Sequence, residues 1–539
     1  MKKRTLALTL VLCILLGMQA TPVSAEILEQ GTCGEGLTWT LDDSYVLTIS
    51  GTGAMEDYEV YRDVPWYVYW RDITAIEVED GVTSIGDYAF YRCESAETIT
   101  IGKDVEHIGD SAFRWCQSAR EIEFPSNLKT IGESAFMDAD MRVITIPASV
   151  TSIGLLAFSG VGFAELTVDE NNLYYCAQDN TLFDKDKTRL MVAGYYDEEG
   201  TYTIPDGVTQ IDPEAFVHCS MKKVELPASV TQIGDRAFEL CYFSEISVEK
   251  ENTSYMVQDN VLFNKNQTAL IRYPNQKSGT EYIIPHSVVS IEEGAFRNCR
   301  TLRDVHIPSG VINIGSYAFY ACDTLERIDL PDGITTIQEG TFGSCDSLTG
   351  VTIPEGVITI CDGAFDSSGL EWISLPKSLE CIEDFAIDWC DALTDVYYCG
   401  SEDDWYDNWD LYRSENGALM DVVRSEGMHF NTYADVLWGE NVFTRWTASV
   451  NTPTLSAGAS THSKSSTAQN AVVCIAAYKG DQLLDVQMKA GSAGAAFPLE
   501  TSKTFAGIEQ PDEIRIFSWN GLSALSPYCV SDSMDVIYE

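Results

Sequence analysis

The chain has 539 residues and a formal net charge of −48, from 82 acidic against 34 basic side chains. Such an acidic surface excludes wrapping of nucleic acid, which needs a cationic face, and it keeps copies of a solvated protein apart. A basic partner, or cation-assisted contact with an envelope polymer, stays open, and the length exceeds one ordinary domain.

Residues 1–25 carry Lys2, Lys3 and Arg4, then an apolar run from Leu6 to about Met18, then Val23, Ser24 and Ala25. That order predicts a secretory signal peptide cut after Ala25, hence an extracellular or cell-surface protein. No later apolar run approaches the roughly 20 residues of a membrane span. Residues 26–72 show no repeat. Stretches 37–41 and 46–50 read as strands about the turn Asp42-Asp43-Ser44, an N-terminal β cap. The aromatic phrase PWYVYWRD at 65–72 suits a plug over a neighbouring apolar layer better than a sugar-stacking platform.

Residues 73–398 repeat one phrase, clearest at 301–322, TLRDVHIPSGVINIGSYAFYAC. Val305 and Ile307 alternate as in a strand, Pro308 and Gly310 turn the chain, and Ala318-Phe319 falls in a second turn. The phenylalanine recurs at Phe90, Phe113, Phe136, Phe158, Phe216, Phe238, Phe296, Phe319, Phe342 and Phe365, with Ile387 in a last copy. The usual step is about 22 or 23 residues, which marks a leucine-rich-repeat solenoid. It is β-rich, with one short strand plus a turn or 3-10 helix per coil. A lone coil has no second layer to cover its apolar side, so stability needs several stacked copies and capped ends. Cys93, Cys116, Cys219, Cys241, Cys299, Cys322, Cys345 and Cys390 lie three residues after the anchor and form one column of compact hydrophobes. Bridges between adjacent coils stay open for a secreted chain; no CxxC pair supports zinc.

Two inserts, 171–204 and 252–284, widen the step and match each other through DNxLF at Asp179 to Phe183 and Asp259 to Phe263. Each predicts two or three short strands with a turn at 184–187 or 264–267. They either decorate one face as binding elements or lengthen the stack. Asp184 and Asp186 are replaced by Asn264 and Asn266 in the second insert, which argues against calcium. Residues 399–431 form a C-terminal cap: Ser401 and Asp404 have capping-box spacing for a helix over 402–410, whose Trp405 and Trp409 would cover the last coil. In 432–539 the Ser/Thr/Ala/Gly-rich stretch 451–470 reads as linker, and 471–478, 482–488 and 513–520 as strands of a small β-sandwich.

The phrase IPxGVxxIGxxAFxxC, as it stands from Ile307 to Cys322, resembles the BspA-like (Treponema-type) leucine-rich repeat family of bacterial secreted and surface proteins. The resemblance runs from about Ile73 to Tyr398. It implies an extracellular, non-enzymatic binding or adhesion protein, and it carries over no particular ligand. The segment 399–431 is similar to the family's C-terminal cap, and 514–527 resembles C-terminal modules of secreted clostridial-type proteins.

Catalytic signatures are wanting: six scattered histidines include no HExxH, and neither GxSxG nor a Walker loop occurs. No enzyme activity, cofactor or metal is expected. Binding has a place, because the residue between the inward aliphatics of each strand points outward on the concave sheet expected of a solenoid. That column is Glu77, Thr100, Glu123, Thr145, Thr167, Thr203, Glu225, Ser247, Ile283, His306, Asp329, Thr352, Ser374 and Tyr397. Of these, Glu77, Thr100, Glu123, Thr145, Glu225, His306, Asp329 and Tyr397 are the candidate contacts for an extracellular protein or envelope polymer, made by a monomer. Alternatively the column's Thr and Ser merely stabilise neighbouring strands. A structural envelope scaffold, or a glycan-binding or glycan-processing protein acting through the C-terminal module, are the rival readings.

Overall fold

A computed structural model describes residues 26–194, 196–407, 416–424 and 428–430, and beyond them the strands at 436–438, 442–451, 454–463, 469–479, 482–493, 499–505, 513–519 and 532–535. Residues 1–25, expected to be a leader, Trp409 and residues 520–527 lie outside the described residues. The fold is a β-solenoid of about 14 turns with almost no helix. The chain divides into two compact units, one of Met1–Tyr196, Gly207–Cys219 and Gln232–Phe238, the other of Asp197–Asp206, Ser220–Thr231 and Glu239–Glu539.

A coil of the first unit shows how the phrase folds. Ala75–Val78 alternates Ile76 and Val78 inward with Glu77 outward, and it pairs in parallel with Thr98–Ile101 of the next copy. A second strand, Val82–Ile85, pairs with His107–Ile108, so each copy contributes two strands where one was expected. Of the two forms open to the phenylalanine segment, the repeats take the turn, and the reason is local. Two residues per coil have left-handed dihedrals, Tyr88 and Arg92 at φ 57° and 63°, then Ser111 and Trp115 at 53° and 63°, and a 3-10 helix needs right-handed ones throughout. The turns offset that strain by bonding to the next coil: Tyr88, Phe90 and Arg92 donate their N–H groups to the carbonyls of Asp110, Ala112 and Arg114 at 2.8–2.9 Å. Three ladders therefore hold coil to coil.

The core is a column of stacked rings. Phe90, Phe113, Phe136 and Phe158 follow at centroid spacings of 5.2, 5.2 and 5.5 Å in the first unit. In the second, Phe296, Phe319, Phe342 and Phe365 follow at 4.8, 5.4 and 5.4 Å. These spacings match the roughly 4.8 Å between paired strands, so one ring fills each layer. The turn count exceeds the eleven anchors because other residues take the place. Trp66 of the aromatic phrase is buried, stacks on Phe90 at 5.8 Å and donates Nε1–H to the Ala89 carbonyl at 2.8 Å. In the second insert Tyr273 stacks on Phe296 at 5.2 Å.

The cysteine column is buried, and Cys93, Cys116, Cys299, Cys322, Cys345 and Cys390 are free thiols. Cys116, Cys322 and Cys345 donate S–H to the carbonyls of Phe90, Phe296 and Phe319 at 3.1–3.3 Å. Burial pushes the Cys116 and Cys345 thiols up to about 12.

The front carries three strands, Ile27–Gly34, Leu37–Asp42 and Val46–Gly51, paired antiparallel; the third then pairs in parallel with Ala75–Val78. The first of them was not legible in the sequence. Each insert is an antiparallel three-strand meander, Tyr175–Gln178, Thr181–Asp184 and Arg189–Ala193 in the first, Tyr255–Gln258, Val261–Asn264 and Ala269–Arg272 in the second. Arg189–Ala193 and Ala269–Arg272 then join the second-strand ladder through Gln210–Ile211 and Ser290–Ile291. Asp184 serves its own turn, accepting from the N–H groups of Thr188 and Arg189 at 2.7 and 2.9 Å. Ser401 and Asp404 form the reciprocal capping box, at 2.8 and 3.0 Å, of a helix at Glu402–Asp407, and Trp405 is fully buried against Tyr398.

One expectation fails outright. The Ser/Thr/Ala/Gly-rich stretch 451–470, a linker by composition, holds a strand, Thr454–Ser463, paired antiparallel with Val442–Asn451 and with Leu499–Phe505. Small side chains resemble a linker in composition, yet a strand with partners on both edges satisfies its backbone whatever its side chains. A second sheet is ordered Gln482–Ala493, Gln469–Lys479, Glu513–Trp519, Asp532–Asp535.

Candidate binding face

Most of the outward column exists as a ladder register, while Glu123 and Asp329 lie outside the paired strands. In the first unit Thr48, Glu77 and Thr100 are successive partners, and Thr145 opposes Thr167. In the second, Glu225 opposes Ser247, Ile283 opposes His306, and Thr352, Ser374, Tyr397 and His429 are successive partners. Glu77, Thr100, Glu123, Thr145 and Asp329 are exposed, and Glu225, His306 and Tyr397 are half-buried. Ser374 departs from the expectation: it is 1% exposed, enclosed in the ladder between Thr352 and Tyr397.

Neighbours in the column bond to one another. Thr145 and Thr167 share a hydroxyl hydrogen bond of 2.9 Å and the Thr203 hydroxyl donates to Glu225 at 2.9 Å, while His306 Nε2 meets Glu281, outside the column, at 2.9 Å. Lys223, 2.6 Å from Glu225, and then Thr203 hold that carboxyl below the usual carboxylate range. These contacts run along the column at strand spacing. Within each unit the paired residues follow one another at strand spacing, a geometry suited to an extended contact. Among the described residues no three His, Cys, Asp or Glu side chains gather as metal ligands would, and no helix is long and apolar enough to cross a membrane.

Sequence reasoning missed two features. On the turn side of the first unit, cations and indoles alternate: Arg71 and Arg92 lie 4.3 and 4.7 Å from the Trp70 ring, Arg92 and Arg114 lie 5.1 and 4.7 Å from the Trp115 ring. Repeat spacing puts Arg92 and Trp115 at the same place in successive coils, a signal visible once the anchor is aligned. The second is Asn180 with its counterpart Asn260. Each ends a first-strand ladder, Oδ1 accepting the N–H of Leu166 at 3.2 Å or Ile246 at 2.8 Å while Nδ2 donates to the carbonyl of Ala164 or Ser244. The Asp-Asn pair preceding Thr181 and Val261 was the available signal, since both residues take left-handed dihedrals as a tight hairpin turn demands.

Stacked parallel coils, two short strands per copy and a ring column at a period near 23 residues define a leucine-rich-repeat solenoid. The model of the BspA type leucine rich repeat region matches residues 67–179, 196–276 and 272–394, more than half of the chain. The chain belongs to this BspA-type leucine-rich-repeat family. Similar solved structures include a leucine rich cell surface protein from Faecalibacterium prausnitzii A2-165, 28% identical, covering 72% of this chain and 98% of that one at a TM-score of 0.41. The pneumococcal vaccine antigen PcpA is 20% identical, covering 75% of this chain and 98% of its own at 0.40. A leucine-rich repeat protein from Eubacterium ventriosum is 24% identical, covering 68% and 90% at 0.32. No curated protein is similar enough to match.

Proposed function

We propose that this is a secreted, surface-associated, non-catalytic protein that binds an extracellular protein, from a host or from the bacterial envelope, through the outward strand faces of its solenoid. The observation that carries the reading is the polar column, exposed and in ladder register at Glu77, Thr100 and Thr145 and exposed also at Glu123 and Asp329. Side chains held on paired strands are rigid, so a partner meets a preorganised surface and the ordering cost of binding is small. The column's carboxylates favour a basic partner surface and fast encounter. Family membership supports the class, and the leader at 1–25 supports export. Within this reading 26–72 and 399–431 cap residues 73–398, the inserts lengthen the stack, and 432–539 form a separate module.

The test is capture of host-matrix and envelope proteins on the immobilised mature protein. Glu77→Lys combined with Glu225→Lys is expected to weaken retention of the captured protein about tenfold or more, in a salt-dependent way. Undiminished retention by the double variant, folded as judged by circular dichroism, removes the strand faces from the function.

A further inference from the structure

The first-strand ladder of the first unit is broken between two successive coils. Thr98–Ile101 pairs with Ala75–Val78 on one side. On its other side lie residues 120–124, whose only pairing is an isolated bridge from Glu121 forward to Val143. No backbone hydrogen bond joins 120–124 to Thr98–Ile101. The same two coils stay stacked elsewhere: His107–Ile108 pairs with Thr130–Ile131, and the Phe90, Phe113 and Phe136 rings hold their 5.2 Å spacing. The stack is therefore closed on two sides and open on the third. Between the open edges lies a groove of about 790 Å³, lined by Thr98–Ile101 on one bank and Arg120, Glu121 and Glu123 on the other. That volume is within the range of about 300–1,000 Å³ typical of binding clefts.

Two ladder ends elsewhere are closed by a side chain. At the two ladder ends made by the inserts, Asn180 and Asn260 bond the forward-facing N–H groups of Leu166 and Ile246. Ile99, which holds the same place in its strand, has no such cap. The ladder is also interrupted between Arg327–Ile328 and Gly350–Thr352, but Arg327 there is ion-paired with Asp304 and Asp329. At the groove four carboxylates, Glu97, Glu121, Glu123 and Asp140, face one guanidinium, Arg120, and none of the five is in an ion pair. An open strand edge recruits an extended backbone, and these carboxylates select the charge it carries.

We propose that this groove docks an extended, lysine- or arginine-bearing peptide segment of a partner protein, which adds a strand to the Thr98–Ile101 edge. The assignment rests on the protein-binding reading and names the chemistry of the partner. Main-chain hydrogen bonds to the edge supply affinity, and alternate basic side chains, about 6.6 Å apart along the added strand, meet the carboxylates.

The probe is a fluorescently labelled hexapeptide of alternating lysine and valine, titrated by anisotropy against the whole mature protein. Saturable binding is expected, weakened about tenfold or more by Glu121→Lys with Glu123→Lys. The same peptide N-methylated at alternate residues keeps its charge, loses its edge donors, and is expected not to bind the unaltered protein. Equal binding of the methylated peptide, or no binding of the parent, overturns the proposal. So does a peptide-free dimer that the Glu121/Glu123 variant dissolves, which would give the groove to a second copy. Glu77 and Glu225 lie outside the groove, so a protein that still captures its partner through them while refusing the peptide loses this inference and keeps the broader function.

Discussion

Phe319 lies between Phe296 and Phe342, with ring centroids 4.8 and 5.4 Å away and no exposed surface. Removing the ring empties one layer of a column that cannot collapse, since both neighbours are tied to their own coils. Phe319→Ala is expected to cost about 3–5 kcal/mol, read from the urea midpoint; a loss under about 1 kcal/mol would show that the ring does not anchor its coil. The buried thiols set a pH limit. An unfolded cysteine ionises near about 8.5, whereas burial holds Cys116 and Cys345 at about 12 in the fold. Between those values the native state keeps protons that the unfolded state releases, so stability is full below about pH 8.5 and falls as pH rises toward 12. Unfolding midpoints taken from pH 7 to 10.5 are expected to drop above about pH 8.5. The decline should soften in a Cys116→Ala, Cys345→Ala variant, and an unchanged slope in that variant would locate the titration elsewhere.

At the scale of an element, Asn180 turns a hairpin and finishes a ladder with one side chain. Its φ of 57° suits Asn better than Ala, and its amide bonds both Leu166 and Ala164. Asn180→Ala is expected to cost about 1–3 kcal/mol by leaving a half-buried N–H unmet. Hydrogen exchange at the Leu166 amide should speed up selectively, and uniform acceleration along the chain would contradict a local cap. The capping box at Ser401 and Asp404 and the turns at 184–187 and 264–267 were readable because such local chemistry depends on residues within four positions. The opening beside Thr98–Ile101 was not readable, because Glu121-Ile122-Glu123-Phe124 alternates just as the paired strands do.

For the whole molecule, the charge of −48 is carried on coils that each bond mainly to the next. Like charges in successive coils repel, so added salt screens a term that opposes stacking. The thermal midpoint is expected to rise between about 10 mM and 150 mM sodium chloride, as the screening length shrinks from about 30 to 8 Å. A midpoint that falls over that range would mean that ion pairs such as Arg189 with Asp212 and Arg236 with Glu214 outweigh the repulsion.

The repeat, its anchor ring, the cysteine column, the outward polar column and the family were all present in residue order, because a solenoid places each residue by its position in a short period and by its nearest copies. Tertiary structure alone decided which of those copies actually pair. Whether residues 120–124 join Thr98–Ile101, whether Ser374 stays in solvent, and whether Thr454–Ser463 becomes a strand depend on hydrogen bonds to other segments or on enclosure by them, and no local pattern encodes the distance at which two backbones come to rest.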